Sequence, residues 1–279
     1  MPPKKKRRPT TSILMALLPN NFIVPYRDID DLLDFLARGI QNIFGGDLTG
    51  FYLTGSLSYG DFEPGRSDID LAAVLEKPAQ PDQIDKIEKL HQATEQKFNQ
   101  WAERIECSYV PRSMLAEVLP PKEPRPYFGA GIFYSAAPYG NEWLINRHFL
   151  YQNGIALLGP DFKTLAASVA MADLRQACVR DLREEWVPKI NDENFLNNSH
   201  CQSYVVLNLC RILYTVANGE AVSKKAAAEW AKSEYPQWKD LIETAESSRY
   251  GIEMECQNET IGFIKFAVAK ANPLNSGSS

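Results

Sequence analysis

Histidine is scarce in this chain and cysteine is unpatterned: 279 residues hold three histidines and five cysteines. No H-E-x-x-H or C-x-x-C spacing occurs, so a zinc or histidine-based metal site is not expected. Cys107, Cys178, Cys201, Cys210 and Cys256 are odd in number and widely spread. That argues against a disulfide framework and for a reducing, cytoplasmic setting. No apolar run nears the roughly 20 residues of a membrane helix. Ile13 to Leu18 is too short for the core of a secretory leader. Neither a leader nor a membrane partner is therefore expected, and no internal repeat is visible. With 44% hydrophobic and 23% charged residues, the composition is that of a globular chain of one or two domains.

Charge is unevenly placed. Lys4, Lys5, Lys6, Arg7 and Arg8 give the N-terminal tail +5, so a formal total of −5 leaves −10 for the rest. Residues 1–20 are expected to form a disordered basic tail, readable either as a solvated segment or as a nuclear-import signal. A body that acidic attracts nucleic acid poorly, because that attraction comes mainly from phosphate neutralisation. A small cationic partner suits it better. A monomer is the expectation.

Apolar residues at Ile29, Leu32, Leu33, Leu36, Ile40 and Ile43 predict a helix over 28–44 that stops at Gly45-Gly46. A second amphipathic helix carries Ile84, Ile87, Leu90, Phe98 and Trp101. Strands are expected at Phe51 to Leu53, along the apolar run Leu71 to Leu75 with the two aspartates at its start, over Arg104 to Val110, and at Ile155 to Leu158. Residues 118–140 show no clear period and read as a long loop. Helices alternating with strands argue for an α/β sheet domain over 21–160. Beyond Asp161 the strand signals stop. Helical patterns over 162–186, 203–217, 223–235, 238–248 and 257–271 predict an all-α domain over 161–272, with a loose tail over 273–279.

One stretch concentrates chemistry. Phe51-Tyr52-Leu53 runs into a turn at Gly55-Ser56, and after a loop Ser67-Asp68-Ile69-Asp70 opens the next strand. Alternation puts Asp68 and Asp70 on one face and Ile69 in the core. Two carboxylates side by side imply a compensating cation. Mg²⁺ prefers such hard oxygen ligands and keeps substrate phosphates in its shell. Backbone N–H groups after Gly55, with the Ser56 hydroxyl, suit the phosphates, and Ser67 is placed to donate to another. The pattern predicts metal-assisted phosphoryl or nucleotidyl transfer. Glu106, mid-strand in an apolar segment, is the expected third carboxylate, as metal ligand or as base; the alternative is an edge-strand glutamate facing solvent. Arg104 and Glu103 read as solvated charges at a helix–strand junction. Arg211 interrupts an apolar helix and needs an anion, either a triphosphate or a structural glutamate. Lys224 and Lys225 follow Ser223, a helix cap. Cations there oppose the helix dipole, which suits a bound phosphate, although exposed lysines are common.

Leu53-Thr54-Gly55-Ser56 through Ser67-Asp68-Ile69-Asp70-Leu71 resembles the nucleotidyltransferase superfamily of DNA polymerase β type. Arg104-Ile105-Glu106, Gly154 to Pro160, Val205 to Thr215 and Lys224 to Ala231 follow in the order seen in the streptomycin/spectinomycin adenylyltransferases. The resemblance covers roughly 28 to 250. It implies a mixed-sheet nucleotidyltransferase domain and a helical domain, with ATP and substrate in the cleft between them, and transfer of AMP to a hydroxyl of a small acceptor. By position, Asp68 and Asp70 would hold Mg²⁺ together with Glu106, which would also be the catalytic base. Ser56, Ser67, Arg211, Lys224 and Tyr250 would contact ATP beside Gly55, and Glu142 would line the cleft. Two departures fall on the acceptor side. Phe128-Gly129-Ala130-Gly131 stands where the family has Phe-Gly-Glu-Trp, and Cys201 and Tyr204 replace a drug-contacting Asp and His. The acceptor is thus open: spectinomycin, another cyclitol or sugar, or a protein, RNA or metabolite hydroxyl. A catalytically silent nucleotide-binding relative is the other reading.

Overall fold

The computed structural model describes residues 24–249 and 252–271, so the expectations for the basic tail and for Tyr250 lie outside the described residues. A six-stranded mixed sheet comes first: β1 (Leu48–Thr54), β2 (Ile69–Leu75), β3 (Ile105–Pro111), β4 (Arg125–Gly129), β5 (Ile132–Ala137) and β6 (Ile155–Leu158), in spatial order β5-β4-β3-β2-β1-β6. β2 and β3 are parallel and the other pairings antiparallel. Helices α1 (Arg27–Phe44) and α3 (Pro81–Lys97) accompany the sheet. The short α2 (Gly55–Tyr59) follows β1 directly, and α4 (Trp143–Asn153) precedes β6.

The remainder is helical: α5 (Met171–Asp181), one π-helical turn (Leu182–Trp186), α6 (Glu193–Leu196), α7 (Ser199–Asn218), α8 (Lys224–Glu234), α9 (Lys239–Ser247) and α10 (Gln257–Lys270). Among the described residues no helix is long and apolar enough to cross a membrane.

Strand parity decides what lies on each sheet face. Phe51, Leu53, Ile69, Leu71, Ala73, Leu75, Ile105, Cys107 and Tyr109 join Ile29, Leu32, Leu36 and Ile40 of α1 in one core. Tyr52, Ala72, Val74 and Val110 point the other way and share a second core with Leu174, Val205, Leu209, Ile242 and Phe263 of the helical region. Asp70 and Glu106 have the parity of Ala72 and Val110, so they face the helices. The sheet and the helical region therefore meet at the face that carries the carboxylates.

Two expectations need correction. Residues 118–140 are not a loop throughout, because β4 and β5 form a hairpin there. Its turn, Ala130-Gly131, takes left-handed φ of 50° and 72°, the conformation of primed hairpin turns. β5 is an edge strand with Ile132 and Tyr134 exposed, which erases the alternation a half-buried strand would show. The helix read over 162–186 starts only at Met171. Before it, Asp161 accepts from the Lys163 N–H (2.9 Å), and buried Phe162 packs edge-on to Tyr52 (5.4 Å between rings), which ties this segment to the sheet.

The loop before Asp68 is clasped to the helical region. Arg66 donates to the Glu246 carbonyl (2.6 Å) and pairs with Glu63 (2.8 Å), while the other oxygen of Glu63 meets Arg249 at 2.8 Å. This clasp is partly exposed, and such pairs contribute about 0.2–1 kcal/mol. Arg249→Ala is therefore expected to leave global stability within about 1 kcal/mol in chemical denaturation while raising amide exchange across residues 61–67. A loss of several kcal/mol would show that the clasp belongs to the cooperative core.

Candidate active site

Asp70 is the second residue of β2, paired with Thr54 of β1 on one side and with Glu106 of β3 on the other. Adjacent strands run about 4.8 Å apart, so the two carboxylates are close neighbours on one face. Gly55 makes their seat. Its φ is +67°, and a Cβ there would clash with Asp70 Oδ2. Only glycine meets both demands at low cost. Burial pushes the Asp70 carboxyl well above the usual range, with Glu106 and then Asp68 adding repulsion and Lys224 and Arg211 opposing it. Glu106 is also raised, by burial and by Asp68, while a hydrogen bond donated by Tyr127 and the charge of Lys224 pull it down.

Asp68 sits one residue before β2, and Arg104 Nε lies 3.9 Å from its Oδ1. Arg104 is not a solvated junction charge. It donates to the carbonyls of Pro64 and Ser67 and stacks on Trp101 (4.7 Å), holding the loop that presents Asp68. Ser67 Oγ accepts from the Glu63 N–H (2.9 Å), which sets its hydroxyl in the same wall. Ser56, in the first turn of α2, lines that wall too.

Two cations come from the helical region. Arg211 of α7 donates to Asn208 Oδ1 (2.8 Å) and lies 5.0 Å over the Phe149 ring. Lys224 opens α8 behind the Ser223 cap, its Nζ 4.1 Å from the centre of the Tyr204 ring. Among the described residues neither cation is within ion-pair distance of a carboxylate, so the structural glutamate considered for Arg211 is not found. Burial and Arg211 pull the Lys224 ammonium down to about 8, although Asp70, Asp68 and Glu106 oppose this. A cation in the first turn also opposes the helix dipole. Both cations thus lack an anion at close range.

The three carboxylates, Gly55, Ser56, Ser67, Arg211 and Lys224 line one cavity of about 770 Å³. Glu142, the residue preceding α4, lines it, as do Tyr204, Tyr127, His200 and Asp181. Asp181 accepts from Trp186 Nε1 (2.9 Å), and burial raises its carboxyl to about 6. Cys201 lies outside the lining, and Phe128 is buried on the far sheet face, stacked on His91 at 4.2 Å. Sequence reasoning missed Tyr127 because the hairpin that carries it looked aperiodic. It missed Asp181 because an acid at a helix end is ordinarily solvated. A polar side chain buried at a cavity wall has no one-residue signature.

The donor set suits Mg²⁺, since Asp68, Asp70 and Glu106 supply hard carboxylate oxygens. Among the described residues no three acid, histidine or cysteine side chains are already gathered as a cage, and Asp68 is drawn toward Arg104. Mg²⁺ commonly takes one or two carboxylates and completes its shell with phosphate and water. The crowded pair at Asp70 and Glu106 fits that habit.

Comparison with known proteins agrees with this architecture. Residues 36–120 match the nucleotidyltransferase domain family, and residues 164–269 match the C-terminal domain of aminoglycoside adenylyltransferase. The chain is 28% identical over 233 residues to spectinomycin 9-adenylyltransferase of Staphylococcus aureus strain Mu50 / ATCC 700699, covering 80% of this chain and 85% of the relative, and the strain N315 protein matches equally. A crystal structure of spectinomycin adenyltransferase from Enterococcus faecialis with ATP and spectinomycin shares the fold, with a TM-score of 0.67 at 17% identity over 86% of this chain and 98% of that one. The sheet with its paired carboxylates, the helical region behind it and these two consecutive matches place the chain in the aminoglycoside adenylyltransferase family, as a nucleotidyltransferase.

Proposed function

We propose that this nucleotidyltransferase moves AMP from ATP to a hydroxyl of a small cationic aminocyclitol or aminoglycoside. The observation that carries the reading is the Asp70–Glu106 pair facing Arg211 and Lys224 across one cavity. The two cations match a triphosphate. Gly55, Ser56 and Ser67 supply donors from the sheet side, and Asp68, Asp70 and Glu106 would hold Mg²⁺, which when bound neutralises phosphate charge at the reacting centre. Glu106 takes the proton from the acceptor hydroxyl, the hydroxyl oxygen bonds to the α-phosphorus of ATP, and the bond to the leaving pyrophosphate breaks. Glu142, Asp181 and Glu185 give the rest of the cavity an acidic wall suited to ammonium groups. The named relatives act on spectinomycin, which makes it the first acceptor to test. Streptomycin is disfavoured because Gly131 and Tyr204 stand where the family's drug-contacting residues are expected.

The decisive measurement is pyrophosphate release from ATP and Mg²⁺ with a panel of aminocyclitols and aminoglycosides. Wild-type release with at least one acceptor is expected, with Asp70→Asn at background; equal rates would sink the reading. The same variant carries a stability signature. A carboxyl held above its unfolded-state value stabilises the fold at low pH and loses that contribution as pH climbs through the raised value. Asp70→Asn is therefore expected to melt at a higher temperature than the ligand-free wild type at pH 7.

Lys224 sets an alkaline limit. Its ammonium loses its proton above about pH 8, so KM for ATP should rise from there. Lys224→Met should show a raised, pH-independent KM; an unchanged profile would remove Lys224 from the triphosphate site. On the acceptor side, Asp181→Asn should raise the acceptor KM about tenfold, one charge-assisted contact, at constant KM for ATP. Equal effects on both would mean a merely structural role.

A further inference from the structure

Glu106 does not hold its position by strand geometry alone. β3 and β4 pair Ser108 with Tyr127 and Cys107 with Phe128. Continuing that register sets Gly129 directly opposite Glu106. Tyr127 shares the sheet face of Glu106, and its ring folds back along β4 over Gly129. A Cβ on Gly129 would lie 2.5 Å from the Tyr127 hydroxyl oxygen and 2.7 Å from two ring carbons. The missing side chain at 129 is thus the space the phenol occupies, directly across the strand pair from Glu106. The ring is fixed on both sides. Arg125 lies 5.2 Å from its centre, anchored on Ser108 Oγ (3.3 Å) and the Pro138 carbonyl (2.6 Å), and Tyr134 stacks against it at 6.3 Å.

We infer that Tyr127 is a positioning residue for AMP transfer, its hydroxyl holding the Glu106 carboxylate toward the acceptor hydroxyl, in the space left open by Gly129. The inference rests on the reading of Glu106 as the group that takes the acceptor proton. A glutamate side chain with three torsions, flanked by two other acids, otherwise has reason to swing away from them. An oriented donor removes that freedom without adding charge, and displacements of about 1 Å at a reacting group cost on the order of 100-fold in rate.

The test uses the full-length enzyme with ATP, Mg²⁺ and the best acceptor of the panel. Tyr127→Phe is expected to lower kcat about tenfold while KM for ATP and for the acceptor stays within twofold. Gly129→Ala, which keeps the hydroxyl but displaces it, should lower kcat similarly, and in the Tyr127→Phe background it should lower kcat no further. A KM increase matching the kcat loss, or additive effects in the double variant, would overturn the proposal. Glu106→Gln separates the two layers. If it is inactive while Tyr127→Phe equals wild type in kcat, the positioning role fails and the base stands. If Glu106→Gln keeps more than a tenth of wild-type kcat, both fail. Thermal melts of each variant show that the folded enzyme is being compared.

Discussion

Two acids held side by side in a half-buried cleft are the constraint around which this molecule is arranged. The parallel pairing of β2 with β3 leaves Asp70 and Glu106 no choice but proximity, and the helical region behind them removes much of the water that would screen their repulsion. Nearly every polar feature nearby answers that strain. Lys224 and Arg211 approach from the opposite wall, the Tyr127 phenol lies across the strand pair from Glu106, and Arg104 draws the third acid aside. None of these neutralises the pair fully. A site left in that condition is receptive to a bound cation and to the anion such a cation accompanies, which is the chemistry of a metal-bound triphosphate.

Much of this was legible in the chain. The spacing of Asp68 and Asp70 after a Gly-Ser turn reads directly, because strand parity is a local property and the turn's glycine is dictated by close approach. Glu106 reads almost as well, being a charge in an apolar run. Helices α1 and α7 show their buried residues at helical spacing. What could not be read depends on contacts distant in sequence. Arg104 looks solvated until the loop carrying Pro64 and Ser67 folds onto it. The start of α5 was misplaced because Phe162 belongs to the sheet's core rather than to a helix, and only the packing on Tyr52 reveals it.

The hairpin β4–β5 is the instructive failure. Prolines, glycines and aromatics without a period suggest irregular chain, yet the segment pairs along β3 and carries Arg125, Tyr127, Tyr134 and Tyr139 to the cavity side. Its glycines also do work there: Gly131 shapes the turn and Gly129 makes room for a phenol. These are the positions where the sequence is expected to depart from the family pattern. There the hairpin presents Tyr127 and Tyr134 to the cavity.

The second core joins Tyr52, Ala72, Val74 and Val110 of the sheet to residues from the helical region in one continuous cluster. The start of the second family match at residue 164 is thus a line in sequence and not a seam in space. Exchange of the helical half between relatives would graft an acceptor wall onto a sheet whose apolar relief was shaped for another. Such chimaeras would need matching substitutions at those four sheet positions before the two halves could pack as one core.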